Sequence, residues 1–292
     1  MSVIKLAAGQ TVDRSIMTKK AIGIMRLANH NLPIPDAIYL DQEEYDFFLT
    51  HCKISETAER AIAQFVHSLE EQQLLPLVSI RCESKQAQNG PRTPYSLLNV
   101  GLKSFSISEL EQYPYQYENI EAFRRTLFKN YSERITYLHV SDKEITFSSV
   151  VDEILFWLKH MYVELQKVSR TKQGLVCGII IQRMVFGCLN INSGNGICCN
   201  LPGPITKETR FRGVFLSCQQ GVGVSHGCWG ENEMDLLSLK DINSRIYFEL
   251  RGMFDYLEYL YGENCYCEFT VEGERLYLLD YAKRQRKVLA GE

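Results

Sequence analysis

The chain lacks any apolar run long enough to cross a bilayer. Its most apolar stretch, residues 174–187, is interrupted by Gln182-Arg183, whereas a helical span needs roughly 18 apolar residues in succession. Nothing near Met1 has the form of a secretory leader, because Leu6-Ala7-Ala8 is too short for an apolar h-region. Charge of one sign is also scarce: the formal net charge is −3, so no global field draws the chain to nucleic acid or an anionic membrane. The single basic run, Lys283-Arg284-Gln285-Arg286-Lys287, lies at the C-terminal end and reads as a solvated tail. Together these absences lead us to expect a soluble, cytoplasmic protein with no nucleic-acid partner and no membrane span.

Cysteine is plentiful, but metal-site spacing is not. None of the ten cysteines forms a C-x-x-C pair, and the adjacent Cys198-Cys199 is poorly placed to ligate one metal ion together. Without a secretory leader a disulfide framework is not expected, so most of the thiols read as small buried hydrophobes. What the sequence does have is apolar bulk. Of 292 residues, 45% are hydrophobic and 11% aromatic, enough for one large lobed domain or two small ones.

Periodicity predicts mixed helix and strand. Residues 21–30 read as a helix stopped by Leu32-Pro33-Ile34-Pro35. Asp41 with Glu44 has the spacing of a capping box. Residues 57–75 form a stronger amphipathic helix and residues 77–81 a buried strand. Residues 106–167 read as mostly helical, and residues 175–181, rich in β-branched side chains, as a central strand. Several strands with tight turns are expected in residues 190–230, and a helix over 246–261 stopped by Gly262.

The hairpin that follows carries the most pointed chemistry. Strands over residues 266–271 and 275–279 flank the turn Glu272-Gly273-Glu274. Tyr266, Glu268 and Thr270 share one face of the first strand, and Leu276, Leu278 and Asp280 one side of the second. Glu268 and Asp280 then fall within about one register step, with Cβ atoms roughly 5–6 Å apart. Two carboxylates that close repel unless a proton or a cation intervenes, and Mg2+ is the natural partner for such a pair beside nucleotide phosphates. The alternative is that the two side chains point to opposite faces or fray into solvent.

The segment Glu268-Phe269-Thr270-Val271-Glu272-Gly273-Glu274-Arg275-Leu276-Tyr277-Leu278-Leu279 resembles the close of the N-terminal nucleotide-binding domain of the pyruvate phosphate dikinase and phosphoenolpyruvate synthase family, D-x-E-F-T-I-E-x-G-K-L-Y-x-L-Q-T-R. Ile181-Gln182-Arg183-Met184-Val185-Phe186-Gly187 is similar to its V-Q-x-M-V-F-G, and Ser193-Gly194-Asn195-Gly196 to its S-G-T-G. Leu32-Pro33-Ile34-Pro35, Val78-Ser79-Ile80-Arg81, Asn99-Val100-Gly101-Leu102 and Phe123-Arg124-Arg125 with Tyr131-Ser132 resemble further elements in the same order. No single piece is specific, whereas the ordered set is.

The resemblance implies an α/β (α+β) fold of two-lobed ATP-grasp type that clamps ATP. Residues 1–105 with 174–186 would form the first lobe, 106–173 a helical insertion shorter than the family's, and 187–292 the second lobe. It implies phosphate contacts for Lys20 and Arg81, adenine contacts near Gln182, Met184 and Val185, and a metal ligand in Glu268. By themselves, Lys20 reads equally as an exposed lysine beside Lys19, Arg81 as a structural ion-pair partner, and Gln182, Met184 and Val185 as core. ATP and Mg2+ are the implied cofactors.

Departures from the family pattern gather at this site. Tyr266 stands in place of an aspartate, Asp280 of a glutamine and Ala282 of an arginine. The phosphate loop S-M-P-G-M-M-D-T becomes Gln88-Asn89-Gly90-Pro91-Arg92-Thr93-Pro94-Tyr95-Ser96, and T-R-N-P-x-T-G-E becomes Asn200-Leu201-Pro202-Gly203-Pro204-Ile205-Thr206-Lys207. Gln219-Gln220-Gly221-Val222-Gly223 keeps a glycine of A-Q-G-E-D without its acids. His226 reads as a loop histidine bonded to backbone rather than a phospho-acceptor. Two functions follow. One is an ATP- and Mg2+-dependent phosphotransferase with an unknown acceptor. The other is an eroded pseudoenzyme that binds a protein partner.

Overall fold

The protein is seen in a computed structural model that describes residues 3–10, 14–84, 96–135, 145–169, 177–199, 211–220, 236–262 and 265–283. His226, most of the altered phosphate loop, residues 200–207 and the end of the basic run lie outside the described residues. The chain divides into two compact units, residues 1–25 with 35–184 and residues 26–34 with 185–292. The fold is α+β, built on two antiparallel sheets. No helix among the described residues is long and apolar enough to cross a membrane.

The first unit contains strand β1 (Val3–Lys5), most of helix α1 (Lys19–Asn29), β2 (Ala37–Leu40), α2 (Gln42–His51), α3 (Glu56–Glu71), β3 (Val78–Ser84), β4 (Ser96–Val100), α4 (Ile107–Leu110), α5 (Ile120–Ile135), α6 (Val150–Ser169) and β5 (Cys177–Arg183). Its sheet runs β1-β2-β5-β3-β4, with the β-branched β5 at the centre and buried throughout. The short β1 and β2 carry too little periodicity to stand out in the sequence.

Alternation along the strands separates two faces. Ile38 and Leu40, Val78, Ile80 and Cys82, and Cys177, Ile179 and Ile181 join side chains of α2, α3, α5 and α6 in one core. Local chemistry fixes the helices that cover it. Asp41 caps α2 by accepting the Glu43 N–H at 2.9 Å. Ser55 caps α3 by accepting the Ala58 N–H, and the buried Glu44 in turn accepts from the Ser55 N–H and hydroxyl at 2.9 and 2.5 Å. The amide Nδ2 of Asn99, a residue at φ 60, donates to the Leu127 carbonyl, tying the end of β4 to α5.

The second unit contains β6 (Gly194–Cys199), β7 (Arg212–Ser217), α7 (Leu237–Ile242), α8 (Ser244–Tyr261), β8 (Cys265–Glu272) and β9 (Arg275–Lys283), with the sheet order β7-β6-β8-β9. Leu250, Phe254 and Leu257 of α8 meet Cys198, Phe215, Cys265, Cys267, Phe269, Val271, Leu276, Leu278 and Tyr281 in its core. Cys265 and Cys267 therefore pack inward. Burial is the main cause that raises the Cys198 and Cys265 thiols above the ordinary cysteine range, which keeps them protonated.

The glycines of Ser193-Gly194-Asn195-Gly196 have a packing reason. Phe215 and Phe269 lie parallel, 6.2 Å apart. A Cβ on Gly196 would stand 2.2 Å from the Phe269 ring, and one on Gly194 2.4 Å from the Phe215 ring. Only glycine lets the two rings lie across this strand.

Candidate functional site

In the first unit the sheet face turned away from the helical core carries Tyr39, Ser79, Arg81, Glu83, Gly178, Ile180 and Gln182. The register aligns Tyr39 with Ile180 and Arg81, Ala37 with Gln182 and Ser79, and Gly178 with Glu83. The first turn of α1 docks on this face. Tyr39 lies across Gly178, where a Cβ would stand 2.0 Å from its hydroxyl. That hydroxyl accepts the Thr18 N–H at 3.2 Å and donates to the Ile16 carbonyl. Beside it, Glu83 accepts the Lys20 N–H at 3.0 Å.

Lys20 is thus a buried residue of α1, 7% exposed, next to an exposed Lys19. The reading of Lys20 as a second surface lysine does not hold. Arg81 is half-buried and forms no salt bridge among the described residues, so the ion-pair alternative finds no partner there. Gln182 is 7% exposed, and its amide nitrogen has no hydrogen-bond partner among the described residues. Arg81 and Gln182 thus share one face of the sheet, and the Lys20 backbone N–H meets that face at Glu83.

Past β5 the backbone N–H groups are mostly taken up within each unit. Met184 donates its N–H to the Leu77 carbonyl at 2.8 Å. In the second unit, Phe186 N–H donates to Glu272 and Gly187 N–H to Gln220, while the Gln220 amide donates to the Val185 carbonyl. Among the N–H groups from Met184 to Gly187, that of Val185 alone has no partner among the described residues. Both side chains of Gln220 and Glu272 act here as braces, a role that the sequence did not signal.

The hairpin of the second unit has a two-residue connection, shorter than the three residues expected. Glu272 pairs with Arg275, and Gly273 takes φ 63 at the first turn position, as a glycine-led hairpin turn requires. From the turn outward the pairs are regular as far as Phe269 with Leu278. A β-bulge follows, and the next pair is Glu268 with Asp280. Leu279 is the extra residue.

This bulge decides the geometry. Continued without it, the register would set Leu279 opposite Glu268 and turn Asp280 to the core face against Cys267. With it, Leu276, Leu278 and Tyr281 all face the core, while Asp280 faces the same side as Glu268. Direct cross-strand partners stand about 4.5–5.5 Å apart at Cβ. Asp280 is 7% exposed and Glu268 half-buried. On the same face Thr270 donates to Asn195 at 2.6 Å, and Asn195 donates to the Gln219 carbonyl. The next pair outward is Tyr266 with Ala282.

Two carboxylates so paired can share a divalent ion or a proton. No group of three or more His, Cys, Asp or Glu side chains among the described residues is placed to hold a metal.

No family model matches the chain. Over nearly its whole length it is a distant relative of the N-terminal part of pyruvate phosphate dikinase. It is 22% identical to the Rickettsia felis pyruvate, phosphate dikinase over 343 aligned residues, 97% of this chain and 38% of that protein. To the Rickettsia prowazekii enzyme it is 26% identical over 59% of this chain and 19% of the relative. To pyruvate, phosphate dikinase 2 of Zea mays it is 35% identical over 34% of this chain and 11% of the relative. The chain thus spans 38% of the length of the first of these.

Proposed function

We propose that this chain is an ATP-grasp-type domain that binds ATP with Mg2+ and transfers phosphate to a still unidentified acceptor. Residues 1–105 with 174–186 form one lobe in this reading, 106–173 an insertion and 187–292 the other lobe. Lys20 and Arg81 contact phosphates, Glu268 and Asp280 hold Mg2+, and the Gln182 side chain with the backbone at Met184 and Val185 receives adenine. Because Met184 N–H is already bonded to Leu77, the available donors are Gln182 Nε2 and Val185 N–H.

The observation that carries the reading is the direct pairing of Glu268 with Asp280 on one face of the hairpin, set by the bulge at Leu279. Mg2+ takes hard oxygen ligands, usually one or two carboxylates completed by substrate phosphates, and an ammonium and a guanidinium suit transferring phosphate oxygens. Isothermal titration of ATP in the presence of Mg2+ tests it. Saturable binding is expected, and no heat at millimolar nucleotide would sink the reading.

A second reading has one observation in its favour. Tyr266 and Ala282, which replace an aspartate and an arginine of the family pattern, are direct cross-strand partners. A potential charge pair has therefore been lost from both strands at once. Losing a single electrostatic contact in a transition state commonly costs about 10²–10³ in rate. If Lys20→Ala and Glu268→Ala leave the protein's role in its host intact, the chain is a pseudoenzyme that binds a protein partner.

A further inference from the structure

We propose that Glu83 is a built-in competitor for phosphate, a specificity-determining residue that weakens anion binding on the Lys20 and Arg81 face. This deepens the nucleotide-binding reading and rests on it for the identity of the ligand, though not for the anion test below.

The first turn of a helix leaves N–H groups without intrahelical partners and carries partial positive charge, so it attracts anions. At α1 that position is already filled from within the chain. Glu83 Oε2 accepts the Lys20 N–H at 3.0 Å across 63 residues of sequence, while the Tyr39 hydroxyl accepts the Thr18 N–H. Thr18 precedes the helix, is 1% exposed, and its hydroxyl lies beside that of Tyr39 instead of capping the helix. The residue placed to cap α1 therefore leaves the capping to a distant carboxylate.

Glu83 also shares its sheet face with Arg81, two residues earlier on β3. No salt bridge joins Arg81 to any acid among the described residues, so the guanidinium stays open to an external anion. A phosphate drawn to Arg81 and the start of α1 meets the Glu83 charge at close range in a partly dry setting, where like charges repel far more strongly than in water. Neutralising Glu83 removes that repulsion and leaves the donors in place.

The experiment uses the full chain and inorganic pyrophosphate as probe, with ATP measured in parallel by titration calorimetry. Glu83→Gln keeps a carbonyl oxygen for the Lys20 N–H and removes the charge. The expected result is pyrophosphate affinity at least about tenfold higher than in the unmutated protein, with the gain abolished by adding Arg81→Ala. Affinity within about twofold of the original, or no binding of pyrophosphate to either protein, overturns the proposal. Should the amide variant not fold, Glu83→Met, of similar length and uncharged, carries the same expectation. If neither variant folds, the carboxylate is purely structural and the proposal falls. A gain for pyrophosphate with no ATP binding to any variant would uphold Glu83 as the competitor and reject the nucleotide.

Discussion

Glu268 faces Asp280 across the β8–β9 hairpin because Leu279 is accommodated as an extra residue in β9. Most single deletions inside a strand send every later side chain to the wrong face. Deleting Leu279 does the opposite. It restores a regular register with Glu268 still opposite Asp280 and Cys267 still opposite Tyr281. We predict that the deletion variant unfolds in urea within about 1 kcal/mol of the parent. A loss several times larger would show that the bulge itself is needed for the fold.

The carboxylate pair has a signature that does not require turnover. Like charges directly opposite in a sheet destabilise by about 0.2–1 kcal/mol, so Asp280→Asn should modestly stabilise the metal-free protein. A ligand at a hundredfold excess over its Kd adds about 2.7 kcal/mol to the stability of the native state. ATP with Mg2+ should therefore raise the melting temperature of the parent clearly, and that of Asp280→Asn much less. Equal shifts in the two proteins would separate the pair from the ligand.

Two glycines should respond oppositely to alanine. At Gly196 the new methyl meets the Phe269 ring at 2.2 Å and the Val214 carbonyl at 2.5 Å, and a cost of about 3 kcal/mol is expected. At Gly252, exposed in the middle of α8, nothing lies within 4 Å of the added carbon. There the gain in helix propensity should stabilise by about 0.5–1 kcal/mol. Equilibrium denaturation of the two variants side by side checks both signs.

Glu153 should make stability fall as pH rises. It is fully buried on α6. Burial raises its pKa to about 6, while the N–H groups of Gly101 and Lys103, the Tyr131 hydroxyl and the Lys103 charge pull the other way without closing a well-formed hydrogen bond. The unfolded value is 4.5. A folded pKa above the unfolded one gives stability that is complete below pH 4.5 and is lost as pH rises through about 6. That loss amounts to about 2 kcal/mol. Glu153→Gln should flatten this segment of the stability profile relative to the parent. Parallel profiles would assign the slope to other groups.

Much of the fold was legible in the sequence because strong periodicity coincides with burial. The helix read from Ala61, Ile62, Phe65 and Leu69 is α3, and the β-branched run 175–181 is the central β5. The hairpin pairing of Glu268 with Asp280 was also close to hand, but its cause was not. The clue was present in the apolar phase, where Leu276 and Leu278 alternate regularly and the next inward aromatic is Tyr281. That one-residue slip is what a bulge looks like in sequence. Glu83 offered no such clue, since its contact with Lys20 depends on tertiary docking of α1. The bracing of the Val185–Gly187 backbone by Gln220 and Glu272 was hidden for the same reason.

The most direct test is a crystal structure of the chain with ATP and Mn2+, whose anomalous scattering marks the position that Mg2+ would occupy. The account predicts an anomalous peak bridging the carboxylates of Glu268 and Asp280, completed by phosphate oxygens of the nucleotide. Nucleotide bound with its metal away from this pair, or no ordered nucleotide at saturating concentration, would contradict it.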